Sequence, residues 1–110
     1  ELLDLVDILL VNEIESQQLL DTKSTDFKRL AEELSNYVSR IIITLGDKGV
    51  VYFEKNKKVD HINAHSVDAK SAHGAGDYFA GKFISNFIET NDFEDSIKTA
   101  NKKTSEFISS

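Results

Sequence analysis

The sequence contains no cysteine, no proline, no methionine and no tryptophan. Without cysteine there is neither a disulfide framework nor thiolate chemistry, so the disulfide-stapled secreted scaffolds are excluded. Without proline a usual linker signal is missing, and no repeat or low-complexity tract divides the chain, so one segment over residues 1–110 is the expected domain. Positive charge is also short: 13 basic residues face 19 acidic ones, a net charge of −6. That balance offers no broad attraction for a polyanionic backbone, so nucleic acid is not an expected partner. A small anion held by backbone N–H groups at a helix start needs few cations, and that class stays open. No apolar run approaches the roughly 20 residues of a membrane span. The opening stretch ELLDLVDILLV is interrupted by Asp4 and Asp7 and has no basic flank or small-residue cleavage site, so no secretory signal and no membrane are expected. A cytoplasmic location follows as the expectation.

What is present is an alternation of short apolar runs and amphipathic stretches, in a chain 40% hydrophobic. DILLV at 7–11 suits a strand buried on both faces, and NEIESQQLLD at 12–21 a helix with acidic residues near its start. Phe27, Leu30, Ala31, Leu34 and Val38 carry the stripe of a half-buried helix over 26–38. RIIITL at 40–45 reads as a central strand, GDKG at 46–49 as a tight turn, and 50–53 and 59–64 as further strands around a solvated KNKK turn. Phe79, Phe83, Ile84, Phe87 and Ile88 form a stripe on a helix over 78–89, with the phenylalanines in the core. A last helix begins near Asn91 or Asp92, with Phe93, Ile97, Ala100 and Ile108 near one face. This order predicts an α/β layered sheet, whose ligands sit at the C-terminal ends of strands. Asn12–Glu15, Thr44–Gly49 and His73–Asp77 all fall at such ends.

The stretch SAHGAGDYFAGKF at 71–83 carries the most chemistry. In GAGD, Gly74 and Gly76 allow a sharp turn and close backbone approach, and the helix that follows points free N–H groups at whatever lies before it. Asp77 is placed to accept a proton from a substrate hydroxyl while those amides neutralise charge on a transferring phosphoryl group. The plainer reading of the same letters is a loop joint, with Asp77 contributing roughly 0.3–1 kcal/mol through the helix dipole. Likewise Glu13 and Glu15 suit an acidic first turn, and Gly46 with Gly49 suits hairpin chemistry.

GAGDYFAGKF resembles the C-terminal signature of the ribokinase-like (pfkB) carbohydrate kinases, in which a glycine-rich turn precedes the catalytic aspartate. NEIE at 12–15 resembles that family's N-x-x-E motif, and TLGDKGV at 44–50 its T-x-G-x-x-G segment, in the same order. The resemblance implies a three-layer αβα Rossmann-like sheet, of which this is the C-terminal, ATP-site part. It implies Asp77 as the base and Gly74, Ala75 and Gly76 as the anion hole. Thr44, Gly46 and Gly49 would be nucleotide-binding, and Asn12 with Glu15 would hold magnesium, chiefly through water. ATP and Mg2+ are thus the implied cofactors, a sugar or nucleoside the substrate, and a homodimer the state of a parent about three times as long. The segment alone is expected to be inactive.

The chain departs from the family pattern just before GAGD, where Ser71, Ala72 and His73 stand in place of Asp-Thr-Thr. Potassium activation is therefore not expected. Asp68 is three residues earlier; His73 reads as a structural or phosphate-touching residue, and His61 and His65 carry no assigned role. A non-catalytic nucleotide- or phosphate-binding module, or a truncated remnant of the family, is the alternative reading.

Overall fold

The computed structural model describes residues 8–55, 57–63 and 75–109, grouped in two compact units, 1–45 with 50–61 and 46–49 with 62–110. The first unit is built on β1 (Ile8–Asn12), α1 (Glu13–Leu19), α2 (Phe27–Leu34), β2 (Arg40–Thr44) and β3 (Val50–Glu54), with β4 (Asp60–Ile62) completing a sheet of order β1-β2-β3-β4. β1 and β2 pair in parallel, from Ile8 opposite Arg40 to Asn12 opposite Thr44. Parallel neighbours need a crossover, and α1 with α2 supply it. β2 and β3 pair antiparallel, and the cross-strand partners Arg40 and Glu54 form an ion pair at 3.1 Å.

The hydrophobic pattern explains this arrangement. On α2, Phe27, Leu30, Ala31 and Leu34 are buried in one cluster with Val11, Ile41, Ile43, Leu45 and Val51. Burying each larger side chain contributes about 1.5–3 kcal/mol. Asp26 caps the helix through Arg29 N–H at 3.4 Å, and the helix stops at Ser35, so Val38 packs on the cluster from beyond its end. Alternation sends Ile42, Val50 and Tyr52 to the opposite face, where they are buried as well. β2 is thus covered on both sides, as its unbroken apolar run requires. β1 differs from expectation: Ile8, Leu9 and Leu10 are half-buried, because β1 is the outer strand of the described sheet.

The second unit holds a 3-10 turn at Gly46–Lys48, α3 (Ala75–Thr90) and α4 (Phe93–Ser109). Phe83 stacks on Phe87 at 5.5 Å between ring centres and meets Phe93 edge-on at 5.8 Å, pinning α3 to α4. Asn91, at φ 56°, closes α3, and Asp92 Oδ1 accepts from Asp95 N–H at 2.9 Å to start α4. The expected stripe on α3 needs correction. Phe79 and Phe83 are buried, but Ile84 and Ile88 are 54% and 77% exposed. They lie one residue, about 100°, around the helix from Phe83 and Phe87, outside the arc that α4 covers. Among the described residues no helix is long and apolar enough to cross a membrane.

Candidate functional site

At the carboxyl end of β1 the chain turns directly into α1, and Asn12 does the turning. Its Oδ1 accepts from Glu15 N–H at 2.8 Å, while Glu15 Oε1 accepts from Asn12 N–H at 2.9 Å. The N-x-x-E spacing is therefore a reciprocal capping box, each side chain satisfying a backbone donor that the helix start leaves open. Both residues are exposed, so the box presents a carboxylate to solvent at a strand end. Ser16 follows, fully buried, with its hydroxyl donating to Glu13 C=O at 2.7 Å.

Thr44 ends β2 in register with Asn12, so the two residues expected at this site stand side by side on parallel strands. Thr44 is half-buried, and its Oγ1 donates to Val11 C=O at 3.4 Å. In the second unit Gly46 sits at φ 63° and Gly49 at φ 97°, conformations that strain any residue with a Cβ. Gly49 N–H closes the turn on Gly46 C=O at 3.3 Å, and Gly46 is exposed with open space where a side chain would stand. That leaves its backbone approachable.

α3 starts at Ala75, so Ala75, Gly76 and Asp77 make up its first turn and their N–H groups have no partner within the helix. Asp77 and Gly76 are exposed, and a Cβ on Gly76 would meet nothing within 4 Å. Gly76 has neither a positive φ nor a crowded neighbour to require glycine, although glycine inside a helix costs roughly 0.5–1 kcal/mol relative to alanine. Gly81 is equally open and lies on the side of Ile84 and Ile88. Gly74, His73, Asp68 and His65 lie outside the described residues. His61 is on β4, its N–H bonded to Asp60 Oδ1 at 2.8 Å.

Two of these features bear on a cation and a phosphate chain. Among the described residues no group of three or more His, Cys, Asp or Glu is arranged around one point. Magnesium keeps several waters and takes one or two carboxylates, so the exposed Glu15, whose capping bond engages Oε1, fits a water-mediated ligand. The α3 start, whose first N–H groups have no partner within the helix, and its open glycine fit an anion.

Sequence reading passes over Asn101. It is buried, and its Nδ2 donates to Asn63 C=O at 3.0 Å, tying α4 to the residue after β4. The signal was there: Phe93, Ile97, Asn101 and Ser105 recur at intervals of four, so two polar residues occupy core positions of one helix face.

Comparison with known proteins agrees with these motifs. Residues 1–109 match the family described as pfkB family carbohydrate kinase. A ribokinase of Staphylococcus aureus is 34% identical over 110 residues, covering 96% of this chain and 36% of the relative. A probable fructokinase-3 of Arabidopsis thaliana is 31% identical over 86 residues, 78% of this chain and 25% of the relative. Among solved structures, the ribokinase of Thermotoga maritima superposes with a TM-score of 0.80 at 28% identity, over 94% of this chain and 36% of that one. The chain thus spans about a third of the length of the relatives it matches, and its mixed sheet with flanking helices is part of the ribokinase fold. It belongs to the pfkB family of carbohydrate kinases.

Proposed function

We propose that the parent protein transfers the γ-phosphoryl group of ATP to a hydroxyl of a sugar or related small molecule, and that this segment supplies the phosphate side of the site. The observation that carries the reading is Asp77, exposed in the first turn of α3 beside the open Gly76. In the proposed reaction Asp77 takes the proton of the acceptor hydroxyl, whose oxygen bonds to the γ-phosphorus as the bond to the ADP oxygen breaks and its electron pair leaves on ADP. The amides of Gly74, Ala75 and Gly76 hold the charge of the transferring group, and Thr44, Gly46 and Gly49 line the phosphate path. Asn12 and Glu15 would hold Mg2+ through water; bound, it would neutralise charge on the phosphates. Family membership and the exposure of Asn12, Glu15, Gly46, Gly76 and Asp77 support these roles.

Relatives named as ribokinase, deoxyribokinase and fructokinase, and a ribokinase structure of Arabidopsis thaliana with ribose and ATP, support testing pentoses and ketohexoses first. A chain spanning a third of such relatives is expected to be inactive alone. The test is Asp77→Asn in the longest natural polypeptide carrying this segment. Turnover should fall about 10²–10⁴-fold, the range for loss of a positioned general base, with nucleotide affinity retained. Unchanged turnover would remove Asp77 from the chemistry. The alternative, a nucleotide-binding module without transfer, draws on Ser71, Ala72 and His73 in place of Asp-Thr-Thr; it predicts ATP binding with no ADP formed.

A further inference from the structure

α3 carries a second apolar side. Phe79 and Phe83 are buried, whereas Ile84 and Ile88 are 54% and 77% exposed. At about 100° and 1.5 Å per residue, Asp77, Gly81, Ile84 and Ile88 fall within an arc of about 60°, and the first and last stand about 16 Å apart along the axis. The exposed charges Lys82 and Glu89 lie off that arc. A helix with apolar residues on more than one side is built to be covered on more than one side. Gly81 points the same way. It sits inside the helix, where glycine is unfavourable, and a Cβ there would meet nothing within 4 Å, so nothing among the described residues calls for glycine.

These residues cover 36% of the Staphylococcus aureus ribokinase, so most of a parent of that length lies outside them. We propose that Gly81, Ile84 and Ile88 dock one apolar helix from that outer part of the same polypeptide, and that Gly81 sets how closely it approaches beside Asp77. A stripe this narrow and two turns long takes a helix, not a sheet, and the separation of two packed helix axes, about 8–10 Å, depends on the side chains at the contact, so glycine permits the closest approach. No charge stands on the stripe below Asp77, which selects an apolar surface. The consequence rests on the phosphoryl-transfer reading: Asp77 heads the stripe, so the part that docks there brings the acceptor to the base. A second copy of this segment would bring Asp77 another phosphate side and no acceptor site.

Maleimide labelling of the parent polypeptide tests the docking without any substrate. This segment has no cysteine of its own, so the label on Ile84→Cys or Glu89→Cys is read on a peptide that is otherwise unlabelled. Both positions are exposed in the segment, and in the parent Ile84→Cys should react at least about tenfold more slowly than Glu89→Cys, because the docked helix must first open. Equal rates overturn the proposal. Protection that disappears on dilution overturns it too, by assigning the stripe to a second copy. Gly81→Leu should lower kcat/KM for the acceptor about 10–100-fold by displacing it from Asp77, with the affinity for ATP kept, and Gly81→Ala should fall between Gly81→Leu and wild type. Equal losses for acceptor and ATP, or no loss, overturn the role of Gly81. A parent without turnover defeats the phosphoryl-transfer reading, and the labelling rates still decide the docking.

Discussion

Glu15 is assigned two tasks, capping α1 and facing a cation, and substitution separates them. In Glu15→Gln the side-chain carbonyl oxygen still accepts from Asn12 N–H, the bond measured at 2.9 Å, but the charge is gone. What is lost is the favourable interaction of a carboxylate with the helix start, at the low end of about 0.3–1 kcal/mol for an exposed group. In Glu15→Ala the acceptor itself disappears, and one half of the capping box with it. Caps contribute about 1 kcal/mol, and α1, seven residues long, has little helix of its own to fall back on. Urea unfolding should therefore rank wild type, Glu15→Gln and Glu15→Ala in descending stability, with most of the loss in the last step. Mg2+-dependent turnover of the full-length protein should instead fall in both variants alike, because a neutral amide is a poor ligand for a hard cation. Equal destabilisation by Gln and Ala would refute the capping geometry. Unchanged Mg2+ dependence in Glu15→Gln would leave Glu15 with a structural task alone.

Phe83→Ala should destabilise the α3–α4 unit by about 3–5 kcal/mol, since it removes a ring 3% exposed that touches both Phe87 and Phe93; loss of helical signal at lower urea checks this. Gly46→Ala should cost about 1–2 kcal/mol through its φ of 63° alone, because the added methyl would meet nothing within 4 Å. A thermal melt indistinguishable from wild type would refute that strain.

The elements that position the site are legible where one physical signal dominates. RIIIT has no polar residue among its three central positions, and those three residues are fully buried in β2. The Phe27, Leu30, Ala31, Leu34 spacing fixes the buried face of α2, and Gly46 and Gly49 do take the left-handed conformations that their turn suggests. Where coverage depends on neighbours, the sequence is silent. Nothing in DILLV says that β1 lies at the outside of the described sheet, and nothing in the α3 pattern says that Phe83 and Phe87 meet Phe93 of α4 while Ile84 and Ile88 stay exposed. The candidate site divides in the same way. Asn12, Glu15 and Thr44 stand out as polar residues at strand ends, but their hydrogen bonds through one shared peptide exist only once β1 and β2 are in register. Asn101 is a polar residue in a core stripe, and only the fold supplies its partner, Asn63.

In the proposed reading this segment is the phosphate side of a sugar kinase. The most direct test is ADP formation by the full-length polypeptide with ATP and Mg2+, across a panel of pentoses and ketohexoses. ADP should be released in step with a phosphorylated sugar for at least one member of the panel. ATP bound with no sugar-dependent ADP would contradict it and favour a binding module.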